Sequence, residues 1–422
     1  MRKVALCVVL LGLLAAVSCI NLFDSQQYHG YIEVNEEEEA NLFYWMFAAQ
    51  NTSAAAPLVL WLTGGPGCSS EVAIFFENGP FKIDPRSLQL KQNPYSWNKN
   101  AHLLYVDQPA GTGFSYARRA YVKNETMVAL DMYTFLQKFL QQYPHLANVD
   151  FYITGESYAG HYIPAIAAYI LQENKQSGNP KINLKGIAIG DGLIDPESMA
   201  ESWGTYLYFN NKIGKSDLYE IQQQFYKRCQ PDLQAGDYGS AFFSCNQVLQ
   251  MGLQAAGNIN VYDIREPCKV PPLCYDTSYI ADYLNQPEVR KQLGVGNRQW
   301  EDCSSSVYAP FESKDFEYSY EFDLPIILEE ARVLIYNGNY DLVVDFYGQG
   351  AMLDSMQWPG QNGFNNAKNV TWHVDSQVAG SVRTYQNLSY LVVNNAGHMV
   401  PHDQPKNALD MLTRFLSNLP FN

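Results

Sequence analysis

The sequence predicts an α/β protein with a mostly parallel central sheet, flanking helices and one inserted helical cap. Short, continuously apolar runs recur along the 422-residue chain, and helical segments lie between several of them. Continuous apolar runs are typical of parallel strands that are buried on both faces. The strand pattern stops between about residues 197 and 324, where amphipathic segments lie instead. We therefore expect the cap to be inserted there.

The amino-terminal stretch MRKVALCVVLLGLLAAVSC has the layout of a cleaved secretory signal. Basic residues precede an apolar run that ends in small residues. A membrane anchor is the alternative, but the run is short for a span; lipidation of Cys19 is a third reading. We predict a signal peptide at 1–19 and one domain at 20–422. No other segment is long and apolar enough to cross a bilayer, so we expect no membrane span in the mature chain.

The strands can be assigned in chain order. QYHGYIEV and ANLFYWMFA predict an antiparallel pair around the acidic NEEEE turn, and HYIPAIAAYILQEN is the clearest helix. Six later apolar runs predict the buried strands of the parallel sheet. These are Leu58–Leu62, Leu103–Asp107, Phe151–Gly155, Gly186–Gly190, Val333–Gly338 and Tyr390–Gly397.

Composition limits the class of partner. The formal net charge is −15, which argues against a nucleic-acid partner because phosphate neutralisation needs a basic surface. Aromatic residues make up 14% of the chain, which favours a well-packed globular protein over a disordered one.

The cysteines and sequons agree with secretion. An even number of cysteines remains after residue 19, which predicts disulfides with 15 possible pairings. The spacing does not match a CxxC metal motif, so we expect no metal site. The remaining cysteines are Cys68, Cys229, Cys245, Cys268, Cys274 and Cys303, and the predicted glycosylation sites are Asn51, Asn124, Asn369 and Asn387.

The stretch TGESYAGHY places Ser157 between a predicted strand and a predicted helix, the arrangement of a nucleophile elbow. Gly155 and Ala159 supply the small neighbours that such a sharp turn needs. The alanine replaces the usual second glycine, so a plain strand-to-helix turn is the alternative. The following helix N-terminus adds positive potential at the serine.

An acid and a base follow in the chain order expected for a nucleophile–acid–base triad. Asp341 follows the strand VLIYNG, and His398 follows YLVVNNAG. Asp345 is an alternative candidate for the acid and His402 for the base, but both lie farther from the strand ends. We predict a catalytic triad of Ser157, Asp341 and His398.

An oxyanion formed at Ser157 needs two backbone N–H donors. The residue after the nucleophile, Tyr158, supplies one of them. The loop WLTGGPGCSS after an early strand should supply the second, and we choose Gly65 because glycine lets the backbone approach closely.

These pieces resemble the serine carboxypeptidase family of α/β hydrolases along nearly all of the mature chain. The matching blocks are WLTGGPGCSS with FFENGP, NPYSWNKNAHLLYVDQPAGTGFSY, ITGESYAGHYIP, IGDGLIDP, YNGNYD and NAGHMVPHDQP. The resemblance implies an extracellular, lysosomal or vacuolar enzyme that removes C-terminal residues at acidic pH without a cofactor. Its partners would be peptides or proteins with a free C-terminus. It also implies the disulfides Cys68–Cys303, Cys229–Cys245 and Cys268–Cys274.

The resemblance also implies how a free α-carboxylate is recognised without a metal. Glu77 and Glu156 would form a hydrogen-bonded acid pair that shares one proton, because two close carboxylates cannot both ionise cheaply. The protonated member would donate to the substrate carboxylate, assisted by Thr63 and Gly64. Above the shared pKa the site would become negative and reject a carboxylate.

One residue departs from the peptidase pattern. Thr63 stands where peptidases of the family usually carry asparagine, and threonine there resembles the acyltransferase branch, whose members use activated acyl esters. Glu156 and the block DQP keep the peptidase form, so acyltransfer is the alternative function. A non-catalytic relative is a third possibility, disfavoured because the triad is complete.

Further residues bear on substrate preference. Trp61, Phe76 and Met399 resemble residues that line the pocket for the departing side chain, which predicts an apolar preference. Glu71 would favour a basic side chain if it pointed inward, although a solvated position is the commoner outcome. Val344 stands where some relatives have a thiol.

Overall fold

The structure is a computed structural model that describes residues 26–51, 56–176, 178–271 and 273–421. The predicted signal peptide, with Cys19, lies outside the described residues. The main feature is a 10-stranded sheet in the order β1-β2-β6-β3-β7-β8-β9-β12-β11-β10, with a separate β4-β5 pair. The strands are β1 (Gln27–Asn35), β2 (Ala40–Phe47), β3 (Leu58–Leu62), β4 (Phe81–Ile83), β5 (Leu90–Gln92), β6 (His102–Val106), β7 (Phe151–Ser157), β8 (Leu184–Gly192), β9 (Arg332–Gly338), β10 (Val370–Val374), β11 (Gln377–Tyr385) and β12 (Leu388–Val393).

The central strands of the large sheet, from β6 to β12 in sheet order, are parallel to one another. Antiparallel strands complete both edges, β2 and β1 on one side and β11 and β10 on the other. The predicted parallel strands are therefore confirmed, as is the β1–β2 pair around the acidic turn. β10 and β11 were not predicted, since their polar, partly exposed residues lack the continuous apolar run that marks a buried strand.

Helices cover both faces of this sheet and form the cap. Asn124 and Asp195 show how the sequence starts them, because each side chain accepts a hydrogen bond from a first-turn backbone N–H. The helices are α1 (Glu71–Phe76), α2 (Glu125–Gln142), α3 (Ala159–Glu173), α4 (Pro196–Phe209), α5 (Lys215–Gln224), α6 (Gln230–Gln234), α7 (Tyr238–Ala256), α8 (Ser278–Leu284), α9 (Pro287–Leu293), α10 (Ser305–Glu312), α11 (Asp323–Leu328), α12 (Phe346–Ser355), α13 (Gln361–Asn365), α14 (Val400–Asp403) and α15 (Pro405–Leu416).

The cap lies in sequence between β8 and β9. Here the chain forms α4 to α11 with a π-helical turn after α5, and none of the described residues in this stretch belongs to a strand. The cap has its own apolar cluster, in which α4, α5 and α7 pack together. The outcome is an α/β-hydrolase fold with an inserted helical cap.

Three disulfides are present, and they join the pairs that the family resemblance implied. Cys229–Cys245 and Cys268–Cys274 lie within the cap. Cys68–Cys303 connects residues 235 positions apart and ties the loop after β3 to the last part of the cap. The cap is therefore fastened to the sheet edge where the parallel strands end.

The sheet is buried on both faces. All five residues of β3 are buried, and separate apolar clusters lie on the two sides. One includes residues of α2, α3 and α11, and the other includes residues of α1, α8, α9 and α15. None of the helices in the described part of the chain is long and apolar enough to span a membrane.

Candidate active site

The chain turns sharply at Ser157. β7 ends at this residue and α3 begins at Ala159. The backbone φ of Ser157 is 64°, a value that residues other than glycine rarely adopt. A Cβ on Gly155 would lie 2.2 Å from the Leu62 carbonyl oxygen, so strand packing requires glycine there. This strained strand–turn–helix geometry presents a serine at the carboxyl edge of the sheet, as a nucleophile elbow does.

The structure brings Asp341 and His398 together. The Nδ1 atom of His398 is 2.8 Å from Oδ2 of Asp341, and both side chains are buried. The Asp341 bond assigns the imidazole proton to Nδ1 and leaves Nε2 free to accept a proton. The His398 backbone is held as well, since its N–H donates to the Tyr262 carbonyl oxygen at 2.7 Å.

Asp345 and His402, the alternative candidates for the catalytic acid and base, make other contacts. Asp345 accepts hydrogen bonds from the first N–H groups of α12 and, at 2.6 Å, from the Ser202 hydroxyl group. His402 stacks on the Phe76 ring with centroids 4.0 Å apart. Because β7, β9 and β12 are parallel, their carboxyl ends place Ser157, Asp341 and His398 at the same edge of the sheet.

The loop after β3 lies against the elbow. A Cβ on Gly64 would be 2.3 Å from the Tyr158 nitrogen and 2.8 Å from the Ser157 Cβ. The backbone next to Gly65 therefore adjoins the N–H of Tyr158, where two oxyanion donors would have to converge. Gly65 itself has a φ of 116°, a value that glycine adopts readily.

Glu77 and Glu156 form a buried acid pair. Burial, and then the neighbouring Glu77 carboxylate, raise the pKa of Glu156 well above its usual range. Burial also raises the pKa of Glu77, to about 7, although the hydrogen bond from Glu156 opposes this. Apart from Glu156, no donor in the described part of the chain reaches the Glu77 carboxyl oxygens. One proton shared by the pair supplies the missing donor.

The positive charge of Lys82 acts on this acid pair and opposes the rise in the pKa of Glu77. Its ammonium group donates to the backbone carbonyl oxygens of Phe76 and Glu77. Burial lowers the pKa of Lys82 to about 8. The lysine therefore contributes positive charge beside the acid pair at acidic and neutral pH without forming a salt bridge to either carboxyl group.

Thr63 is oriented by Trp61. The indole N–H of Trp61 donates to the Thr63 hydroxyl oxygen at 3.0 Å. Since the threonine oxygen accepts this bond, the hydroxyl proton is left to donate elsewhere. Trp61 is fully buried and packs edge-on against Trp97, so it stands behind Thr63.

The other pocket residues have mixed environments. Phe76 is buried between His402 and Tyr275, and Met399 is half-buried. Glu71 is fully buried and accepts a hydrogen bond from the Ser69 hydroxyl group at 2.6 Å. The expectation of a solvated surface position for Glu71 is therefore wrong.

Two remaining predictions concern surface and cap positions. Val344 packs in the apolar cluster of the cap. Asn51, Asn369 and Asn387 are exposed, whereas Asn124 is half-buried at the start of α2. Residues 52 and 53, which complete the first sequon, lie outside the described residues.

Sequence reasoning missed several buried acids around the site. Asp191, at the end of β8, is buried beside Asp341. Glu125 and Asp315 form another pair, and Asp315 accepts a hydrogen bond from the Tyr158 hydroxyl group at 3.0 Å. The block IGDG did carry a signal for Asp191, because it places an acid at the carboxyl end of a predicted strand.

The described residues include one group of three side chains whose ligand-type atoms lie close together. One such atom from each of Asp191, Asp341 and His398 lies within 4.8 Å of the others. Within this group the imidazole Nδ1 of His398 is already engaged by Asp341 at 2.8 Å.

Comparisons with known proteins identify the family. A sequence profile described as serine carboxypeptidase matches residues 19–418. Serine carboxypeptidase-like 48 of Arabidopsis thaliana is 42% identical over 93% of this chain and 78% of its own length. Serine carboxypeptidase S10 family member 1 of Dictyostelium discoideum is 38% identical over 97% and 99% of the two chains.

A solved structure agrees with this result. Kex1(delta)p, a prohormone-processing carboxypeptidase from Saccharomyces cerevisiae, superimposes with a TM-score of 0.84 at 26% identity, covering 93% of this chain and 92% of that one. The elbow, the His–Asp contact, the disulfides and these similarities agree with one another. The chain belongs to the serine carboxypeptidase family, a family of serine-type carboxypeptidase hydrolases.

Proposed function

We propose that this enzyme hydrolyses the C-terminal peptide bond of peptides and proteins at acidic pH. Ser157 Oγ attacks the scissile carbonyl carbon while His398 Nε2 takes the hydroxyl proton, and Asp341 stabilises the imidazolium. The N–H groups of Tyr158 and Gly65 bind the oxyanion. Support comes from the positive φ of Ser157 and the 2.8 Å contact between His398 and Asp341.

The reaction then passes through an acyl-enzyme. The tetrahedral intermediate collapses, the C–N bond breaks, and His398 returns its proton to the amine of the leaving amino acid. A water molecule next gives its proton to His398 and attacks the ester carbon. Collapse of the second intermediate breaks the ester bond, returns the proton to Ser157 Oγ and releases the shortened peptide.

The buried Glu77–Glu156 pair is the observation that carries this proposal. A protonated Glu156 is a hydrogen-bond donor immediately beside the nucleophile, so it selects substrates that end in a carboxylate near Ser157. Thr63 and the backbone at Gly64 complete the acceptor site, and Phe76 and Met399 line the space for the departing side chain. Loss of the shared proton at higher pH repels the substrate and raises KM.

Acyl transfer from an activated ester is the second candidate function, favoured by one residue. Thr63 offers a single hydroxyl proton where an amide would offer two, which weakens recognition of a carboxylate. An acyltransferase needs no such recognition. The acid pair argues against acyl transfer. Burying two carboxyl groups side by side costs free energy, and the binding of a substrate carboxylate gives a reason for that arrangement, whereas acyl transfer gives none.

We also infer passage through the secretory pathway, to an extracellular, lysosomal or vacuolar destination. The three disulfides support an oxidising environment. In this proposal residues 1–19 are removed, residues 20–422 form the peptidase domain with its cap at about 197–324, and glycans occupy the exposed sequons.

The test is a comparison of an N-blocked dipeptide with its amide, from about pH 4 to pH 8, with Ser157→Ala as control. We expect the wild type to release the free C-terminal amino acid at low pH. Towards pH 8 the KM for the free acid should rise at least tenfold, while the KM for the amide stays constant. Equal KM values for the free acid at both ends of the range would contradict carboxylate recognition by the acid pair. Acyl transfer without peptide cleavage would favour the second candidate.

A further inference from the structure

Asp191 lies immediately behind the triad, and the reaction as written does not use it. It is fully buried at the end of β8, with a backbone φ of 42°. A left-handed φ is unusual for a residue other than glycine and persists where surrounding contacts fix it. β8 lies between β7 and β9 in the sheet, and these strands lead to Ser157 and Asp341.

Two donors from the end of β9 hold one oxygen of this carboxyl group. The backbone N–H of Gly338 donates to Asp191 Oδ1 at 2.9 Å, and the amide of Asn337 reaches the same oxygen at 3.4 Å. Oδ2 has no hydrogen-bond donor among the described residues. One carboxyl oxygen is thus fixed by β9, and the other is left for a different partner.

That partner is the Asp341 carboxyl group. One carboxyl oxygen or ring nitrogen from each of Asp191, Asp341 and His398 lies within 4.8 Å of the others, so the two carboxyl groups are near enough to share a proton. Two carboxylates accept hydrogen bonds but donate none, so this contact requires a proton on one of them. Asp341 must stay negative to orient His398, so the proton belongs to Asp191.

The other groups around Asp191 favour the same assignment. Burial first, and then Asp341, raise the pKa of Asp191 well above its usual range. The nearby acid Glu156 adds negative potential when it is ionised. The remaining titratable groups that interact with Asp191 or Asp341 are Tyr206, Tyr262, Tyr275, Tyr336, Asp345, Tyr390 and His398.

We propose that Asp191 is a positioning residue of the triad: its protonated carboxyl group donates to Asp341 and holds the Asp341 carboxylate against His398. This inference rests on the triad of the proposed function. At higher pH Asp191 loses its proton, its bond to Asp341 becomes a repulsion between two carboxylates, and the Asp341 carboxylate is no longer held in place against His398. The result is a fall in kcat for every substrate, including esters without a free carboxylate.

This effect is separable from that of the Glu77–Glu156 pair. The glutamate pair acts on KM and only for substrates that carry a C-terminal carboxylate. Asp191 acts on kcat through His398, whatever the substrate's terminus. An N-blocked amino-acid ester therefore reports on Asp191 alone.

The experiment compares wild type with Asp191→Asn and Asp191→Leu on such an ester from about pH 4 to pH 9. The asparagine keeps both bonds, since its oxygen accepts from Gly338 and its amide donates to Asp341, yet it cannot ionise. We expect Asp191→Asn to keep kcat at pH 5 within about threefold and to raise the alkaline pKa of kcat by at least about one unit. Asp191→Leu should lose kcat at least about tenfold with little change in KM.

Two results would overturn the proposal. One is an unchanged alkaline pKa of kcat in Asp191→Asn; the other is a loss of kcat in folded Asp191→Asn as large as in Asp191→Leu. Thermal melting identifies a leucine variant that fails to fold, in which case the asparagine variant alone decides. Ester hydrolysis by Ser157→Ala is measured in parallel, because residual activity there would refute the proposed triad rather than the role of Asp191.

Discussion

A glutamate beside a nucleophilic serine is unexpected, because a carboxylate would repel the oxyanion that forms there. The environment of Glu156 removes the difficulty. Burial and the Glu77 carboxylate raise its pKa well above the usual range, so the side chain is a neutral donor at acidic pH. The same residue thereby becomes suited to bind an anionic substrate terminus.

Thr63 allows a direct test of that binding site. We predict that Thr63→Asn lowers the KM for free-acid peptides several-fold at about pH 5 and leaves amide substrates unchanged. The asparagine oxygen can still accept the Trp61 N–H bond, and the amide group offers an additional donor to the substrate carboxylate. Steady-state kinetics on the matched acid and amide substrates measure the effect.

Thr63→Val is the matched control, since it keeps the shape and removes the hydroxyl group. It leaves the Trp61 N–H without its acceptor and should raise the KM for free acids by about tenfold, the cost of about 1.4 kcal/mol for one hydrogen bond. If Thr63→Val and wild type share the same KM, the hydroxyl group does not contact the substrate.

The sequence carries different amounts of information about these residues. Ser157, Asp341 and His398 each follow a recognisable apolar strand, so their common edge could be predicted before any coordinates. The neighbours of Asp191 could not be predicted in the same way, because no sequence rule places its carboxyl group, at the end of β8, beside that of Asp341, which follows β9. Such contacts depend on the register of neighbouring strands, which is fixed by packing of the whole sheet.

At the scale of elements, the loop after β3, which carries the proposed oxyanion donor Gly65 and is called the oxyanion loop below, is held by the cap as well as by β3. Backbone bonds run from Ser69 N–H to the Asp302 carbonyl oxygen at 2.7 Å and from Ser304 N–H to that of Gly67 at 2.9 Å. The disulfide Cys68–Cys303 lies between these two bonds. The loop that carries Gly65 is therefore clamped on the cap side by covalent and hydrogen bonds together.

We predict that replacing both Cys68 and Cys303 by serine lowers kcat more than replacing both Cys268 and Cys274. The first pair closes a loop of 235 residues and fixes the oxyanion loop, and the second closes a loop of 6 residues within the cap. The chain-entropy model assigns about 5 kcal/mol to the first closure and about 2 kcal/mol to the second. Urea unfolding and ester kinetics measure both effects.

The Cys268/Cys274 variant is the control for general effects of losing a disulfide. Measured below its unfolding transition, it should keep kcat close to wild type. Equal kcat losses in the two variants would show that the clamp has no special role at the oxyanion loop.

Elements were predictable to the extent that they are continuously buried. β3 was predicted residue for residue because all five of its side chains are apolar. β10 has three exposed residues among its five, so its alternation is hard to distinguish from a loop. The cap was predictable as a break in the strand pattern, but the packing of its helices was not, because their short amphipathic segments fit many arrangements.

For the molecule as a whole, buried acid pairs recur. Each pair combines two carboxyl groups that lie close together and are largely removed from water, so each holds a proton at acidic pH. The pairs are Glu77–Glu156, Asp191–Asp341, Glu71–Asp107 and Glu125–Asp315. Because of these pairs, the proton uptake of the native state involves groups throughout the molecule and not only those of the proposed active site.

We predict that the free energy of unfolding falls as the pH rises from about 5 to 7.5. Burial raises the pKa of Glu317 to about 8 and that of Asp131 to about 6. In the unfolded chain these groups titrate near pH 4, so between the two values the native state binds more protons and stability falls with pH. A single such proton contributes about 1.4 kcal/mol per pH unit, so a fall of at least about 3 kcal/mol is expected by urea titration.

The variant Glu125→Gln tests whether protons bound by the buried acid pairs cause this loss of stability with pH. Glu125 contacts Asp315, which also accepts the Tyr158 hydroxyl bond, and the Glu125 carboxyl oxygens have no other partner among the described residues. Glutamine keeps a donor for Asp315 without a titrating proton, so the variant should lose less stability than wild type over the same range. If stability were constant or increased between pH 5 and 7.5, the buried pairs would have to be ionised in the native state, and the shared proton at Glu156 would lose its physical basis.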